Sequence, residues 1–235
     1  MFSDSHCHLY MSKNIDQVIK DGIDCGVGLF LNTAVDYESS IMIVNSKMNK
    51  NVKNIIGISP EFAEKDINKI EDLYKYFKYN VVGIGEIGLD IKIIDAVSME
   101  KQLICFEKQL EIAKKYNLPV VIHSRGALET VEKLLYEKDI DKAVFHFFEG
   151  DEYDAKRLEQ RGYLLSIPPL DSSRYKRIIN SVGIHSVVCE TDYPAVGKNL
   201  CEVIKTFEKI AKLKNIDTLQ VGNIITETIK DYFGI

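Results

Sequence analysis

The sequence predicts an α/β protein: a (β/α)8 TIM barrel formed by residues 1–235 as a single domain. Three observations predict it. Eight short apolar runs alternate with longer amphipathic stretches, as in repeated βα units around a parallel sheet. The 235 residues are a length that one such barrel commonly fills. Metal-binding side chains stand where successive runs end, and barrels assemble their active sites at the carboxyl ends of their strands.

The apolar runs are Phe2–His6, Val27–Thr33, Asn54–Ser59, Val81–Ile87, Pro119–His123, Lys142–Phe147, Tyr163–Ile167 and Ser186–Thr191, brief and rich in the residues that strands buried on both faces favour. Helical spacing of apolar residues marks Asn14–Asp24, Ile67–Phe77, Met99–Lys115, Leu128–Glu137, Tyr153–Arg161 and Tyr175–Ser181. Leu103, Phe106, Leu110 and Ala113 draw one such stripe. After the eighth strand come Leu200–Leu213 and a last helix from about Thr218, where Asp217 and Gln220 resemble a capping box.

Hydrophobic residues make up 46% and charged residues 28% of the chain, a globular balance that excludes extensive disorder. The formal net charge of −5 excludes a global positive field, so any nucleic acid must be gripped locally and its binding is expected to be weak and salt-sensitive. Cys7, Cys25, Cys105, Cys189 and Cys201 are odd in number and lack a CxxC pair, so reduced thiols are expected rather than a disulfide framework. The start, MFSDSHCHLY, lacks the regions of a signal peptide, and no apolar run approaches a membrane span. A cytoplasmic protein with no membrane partner is expected.

His6 and His8 bracket Cys7, and the two-residue period of a strand points both imidazoles to one face and the thiol to the other. Alone, such a pair could equally be hydrogen-bonded core histidines. Glu86 ends the fourth strand inside a glycine-rich apolar run, where a buried carboxylate needs a partner and can bridge two cations. A salt-bridged or capping glutamate is the plainer alternative; Asp90, four residues on, reads as a loop residue. His123 and His146 close two consecutive strands next to that of Glu86, which favours a second cation site over two satisfied core histidines. Asp192 follows the eighth strand, beside the first once the barrel closes, within reach of a cation on His6 and His8. Glu190 and Asp4 share the parity of Asp192 and His6 one layer deeper, as partners that orient ligands or as purely structural hydrogen bonders. Arg125 lies on a loop of the same rim, where it could clamp a phosphate or simply face solvent. His185 precedes the eighth strand at the opposite end and is given no role.

The motifs DSHCHL at 4–9, GEIGLD at 85–90, LPVVIHSR at 118–125, HFFEG at 146–150 and ETDYP at 190–194 together resemble the TatD family of metal-dependent deoxyribonucleases, within the amidohydrolase-like barrel superfamily. The match runs along essentially the whole chain. The resemblance implies that His6, His8 and Asp192 hold one metal, His123 and His146 another, and that Glu86 bridges them. Gln102, Phe106 and Glu107 also resemble the family's helix after the fourth strand. The chain departs from the pattern where the family carries histidines after the third strand, since Ser59 and Glu61 stand there, and where Ile91 and Lys92 replace an aromatic residue and an arginine.

The expected chemistry is hydrolysis of a phosphodiester, in DNA or a small substrate, by water acidified by two divalent cations, with Zn, Mn, Co or Mg as candidates. Catalytic roles fall to Glu86 as bridge, Asp192 as proton acceptor and Arg125 beside the non-bridging oxygens. The same cation pair would polarise an amide or carboxylic ester, and a metal-binding barrel with little nuclease activity is a further alternative. No lysine that could be carbamylated ends the fourth strand, which favours the phosphodiester reading. The oligomeric state is not legible in the sequence.

Overall fold

The computed structural model describes residues 1–47, 49–64 and 67–235. Among them, strands β1 (Phe2–Cys7), β2 (Val27–Thr33), β3 (Val52–Ile56), β4 (Val81–Gly88), β5 (Val120–His123), β6 (Ala143–Phe145), β7 (Leu164–Ile167) and β8 (Val187–Cys189) form one sheet in chain order. Every neighbouring pair is parallel. β1 and β8 meet beyond the regular ladders: Cys7 bridges Tyr193, the His8 amide donates to the Tyr193 carbonyl at 2.7 Å, and the Asp192 amide donates to the His6 carbonyl at 3.0 Å. Asp4 ties the same seam, accepting from the Thr191 amide at 3.0 Å and the Thr191 hydroxyl at 2.6 Å. The result is the expected TIM barrel, nearly closed.

Around the sheet lie α1 (Ile15–Asp24), α2 (Tyr37–Asn45), α3 (Ile67–Phe77), α4 (Met99–Tyr116), α5 (Leu128–Glu137), α6 (Glu152–Gln160), α7 (Ser173–Ser181), α8 (Val203–Lys214) and α9 (Thr218–Phe233). The stripe on α4 buries Phe106, Leu110 and Ala113, with Leu103 at its edge; each large side chain taken fully out of water contributes about 1.5–3 kcal/mol. Asp217 caps α9 by accepting from the Leu219 and Gln220 amides, which is half of a capping box. The reading of apolar periodicity names no helix over α2, because its buried face carries Ser39 and Ser40 beside Ile43 and Val44 and so dilutes the stripe. β3 begins and ends earlier than the apolar run Asn54–Ser59, since Lys53 disguises its start and Ile58 and Ser59 are buried beyond the ladder.

One expectation is corrected. Cys25, at the end of α1, and Cys201, in the short turn Leu200–Glu202 before α8, form a disulfide with Cα atoms 6.0 Å apart, while Cys7, Cys105 and Cys189 are free and buried. The two partners are 176 residues apart, and only barrel closure makes α1 and the approach to α8 neighbours. A cross-link of that span restricts the unfolded chain, so Cys25→Ser is expected to cost about 2–4 kcal/mol in non-reducing denaturant and nothing extra in reducing buffer. Superimposable unfolding curves for variant and parent in both buffers would show that the bridge contributes no stability. No described helix is long and apolar enough to cross a membrane.

Candidate metal centre

β1 delivers His6 and His8 to the carboxyl rim with Cys7 turned away, buried with its thiol against the Leu31 carbonyl. The His8 Nδ1 lies 2.7 Å from the Thr33 carbonyl, which can only accept, so Nδ1 carries a proton and Nε2 is the nitrogen turned to the rim. His6 Nε2 lies 3.2 Å from His8 Nε2 and 3.4 Å from Glu86 Oε2. Asp192 Oδ1 stands 3.3 Å from His8 Nε2 and 3.9 Å from His6 Nε2. Tetrahedral ligands on bonds of about 2.0–2.1 Å lie about 3.3 Å from one another, and the His6–His8, His6–Glu86 and His8–Asp192 separations are close to that spacing. The donor set fits a divalent metal: two imidazole nitrogens and two carboxylate oxygens crowd together at the rim, and His6 Nδ1 is buried without a partner among the described residues.

The other oxygen of Glu86 faces a different pair. Oε1 lies 2.8 Å from His123 Nδ1 and 3.9 Å from His146 Nε2. His146 Nδ1 points to the Glu190 carboxylate at 3.2 Å, leaving Nε2 toward Glu86. The His6 and His146 rings stack at 3.8 Å, which joins the two groups into one cluster. Two sets of three donors, His6 with His8 and Glu86, and Glu86 with His123 and His146, are compact enough to hold an ion; His6, His146 and Glu190 make a third such set.

Charge balance follows from this packing. Burial works against the Glu86 anion, but His146, His123 and His6 outweigh it and hold the carboxyl well below its usual range. Burial likewise opposes the Asp192 anion, and His8, His146 and His6 reverse the effect. Burial disfavours protonated His123 and His146, yet Asp90 and Glu86 push the former up to about 9, and Glu190 and Glu86 the latter up to about 10. His8 is raised by Asp192 and Glu86 against its burial. His6 is lowered, first by burial and then by His146. In the protein alone, protons answer the carboxylates, and a cation must displace them.

Asp90, which reads as a loop residue in the sequence, belongs to the site. It is buried, its Oδ2 lies 3.0 Å from His123 Nε2, and Arg125 grips both its oxygens, Nε to Oδ1 at 3.0 Å and a terminal nitrogen to Oδ2 at 2.7 Å. Gln102 of α4 fixes the backbone there, accepting from the Asp90 amide at 2.7 Å and donating to its carbonyl at 3.1 Å. The signal was available: Glu86, Gly88 and Asp90 share strand parity. Arg125 is therefore committed to Asp90 rather than free over the rim. Glu190 does orient a ring, whereas Asp4 holds the β1–β8 seam, and exposed His185 lies at hydrogen-bond distance from Thr228.

The turns carrying these groups are conformationally costly. Asp192 and Phe147 both adopt the left-handed region, at φ 50° and 44°, as residues beside functional groups often do. Above the cluster is a cleft of two adjoining lobes, about 250 and 190 Å3, sharing His123, Arg125, His146 and Asp192. Glu61 lines one lobe and Glu149 the other. A larger cavity opens on the opposite face, but the converging donors single out the smaller cleft.

A family model described as "TatD related DNase" matches residues 3–234. The chain is 28% identical to an uncharacterized metal-dependent hydrolase of Methanocaldococcus jannaschii, over 99% of this chain and 96% of that protein. It is 27% identical to human deoxyribonuclease TATDN3, over 98% of this chain and 93% of that protein. Among solved structures, the TatD homologue YJJV of Escherichia coli superposes with a TM-score of 0.90 at 21% identity, covering 100% and 98% of the two chains. A match that spans nearly every residue, on a barrel whose rim gathers imidazoles and carboxylates, leaves one conclusion: this chain belongs to the TatD family of metal-dependent hydrolases.

Proposed function

We propose that this hydrolase cleaves phosphodiester bonds, with DNA as its substrate class, through a two-metal site in which His6, His8 and Asp192 hold one divalent cation, His123 and His146 hold the other, and Glu86 spans both. The observation that carries the reading is the division of Glu86, whose Oε2 faces His6 and His8 while Oε1 faces His123 and His146. The name of the human relative, a deoxyribonuclease, supports the substrate class.

Bound cations would supply Lewis acidity and bring the ionisation of water toward neutral pH. The protein's own groups do the rest. Asp192 sits at the cleft mouth with a depressed carboxyl, placed to accept a proton from attacking water and to pass it to the leaving oxygen. The Thr33 carbonyl, Asp90 and Glu190 hold the Nδ1 of His8, the Nε2 of His123 and the Nδ1 of His146, which aims the remaining ring nitrogens. Arg125, bidentate on Asp90, keeps that carboxylate in place and offers positive charge to both lobes of the cleft.

A second reading, hydrolysis of a neutral amide or carboxylic ester, draws on Glu61 and Glu149, whose charges at the mouth oppose a phosphate backbone. Metal-reconstituted protein is expected to carry close to two divalent cations per chain and to turn over single-stranded DNA and a small phosphodiester faster than duplex DNA or an amide. Metal analysis with that substrate panel is the test. A content fixed at one under saturating metal would sink the bridged design, and turnover of the amide alone would transfer the assignment to the second reading.

A further inference from the structure

A cavity of about 590 Å3 lies at the amino-terminal ends of β3, β4 and β5, on the face of the barrel opposite the metal centre. Its volume falls within the range of small-molecule sites. Five lysines line it, Lys47, Lys50, Lys53, Lys78 and Lys142, and no acidic side chain does. In a chain with 35 acidic and 30 basic side chains this is a local reversal of the overall charge. Lysines elsewhere, such as Lys101, Lys114 and Lys230, hold carboxylates. Lys50 and Lys53 pair with no carboxylate among the described residues, and Lys53 is half-buried within β3 itself. Lys142 donates to the Tyr232 carbonyl at 3.0 Å and so keeps its ammonium at the wall.

Beside these cations stand aromatic rings and amides. Tyr79 lines the cavity with 88% of its surface exposed, and Lys78 lies over its ring at 5.0 Å. Asn49, Asn54, Asn80 and Asn117 add neutral hydrogen-bonding groups. Unpaired lysines recognise phosphate, exposed tyrosine rings stack on planar bases, and carboxamides can read base edges. We propose that this basal cavity is a binding site for a nucleotide, its phosphates held by Lys50, Lys53 and Lys142 and its base on Tyr79. Nothing at this face depends on which bond the opposite rim cleaves.

Titration with ADP, pyrophosphate and adenosine, with the full chain kept in EDTA, tests the site, and replacing the basal lysines separates its signal from any binding at the opposite rim. ADP is expected to bind, more tightly than pyrophosphate, and adenosine weakly. Lys50→Gln with Lys53→Gln should weaken ADP at least about tenfold and leave turnover of a phosphodiester unchanged. Tyr79→Ala should weaken ADP and spare pyrophosphate. In the unaltered chain, ADP should slow acetylation of Lys50, Lys53 and Lys142, a readout that survives if the double variant fails to fold. Absence of ADP binding at millimolar concentration, or binding that neither protects these lysines nor responds to their replacement, overturns the proposal. Equal binding of pyrophosphate and ADP overturns the base-stacking part of it.

Discussion

Replacing Glu86 by glutamine is expected to lower turnover by about a thousandfold and to reduce the metal content from two cations to one or none. The reason is geometric. The two carboxylate oxygens face different imidazole pairs, Oε2 at 3.4 and 3.9 Å from His6 and His8, and Oε1 at 2.8 and 3.9 Å from His123 and His146. A carboxamide has one oxygen and one NH2 group, so either orientation presents a donor, where an anionic acceptor stood, to one of the pairs. The change is isosteric, and the amide can still hydrogen-bond to a histidine, so the fold should persist by circular dichroism. Metal analysis beside single-turnover kinetics reads both effects. Two cations per chain with parental turnover in this variant would remove Glu86 from the site.

Asp192→Asn is expected to cut hydrolysis at least about a hundredfold with the fold intact. Its carboxylate is 3.3 Å from His8 Nε2 at an open rim, and the amide is both a poorer ligand for a divalent cation and unable to take a proton from water. A metal titration separates the two losses. Recovery at high metal assigns Asp192 to ligation; a deficit that persists at full occupancy assigns it to proton transfer. A variant that matches the parent at every metal concentration would mean that the eighth strand contributes neither.

The alternation of apolar runs and helical stripes was sufficient for the barrel, because strands buried on both faces leave little freedom in composition. Helix α2 escaped because serines occupy half of its buried face, and the start of β3 shifted because Lys53 looks like loop. Strand parity and position brought His6, His8, Glu86, His123, His146 and Asp192 to one rim, and the structure gathers all six there. Residues recognised through their partners were harder to see. Asp90 matters through His123, Arg125 and Gln102, and the Cys25–Cys201 pairing through contacts between helices that periodicity does not register.

The seam between β1 and β8 has a consequence for biosynthesis. The donors around His6 and His8 include Asp192, which adjoins them across the β1–β8 seam, whereas Glu86, His123 and His146 lie on or directly after β4, β5 and β6. As the chain leaves the ribosome from its amino terminus, the latter group is complete in sequence well before Asp192 has been translated. The order of translation therefore leaves the ring to be closed last, when Thr191 and Tyr193 emerge to meet Asp4 and Cys7 on the strand that was made first.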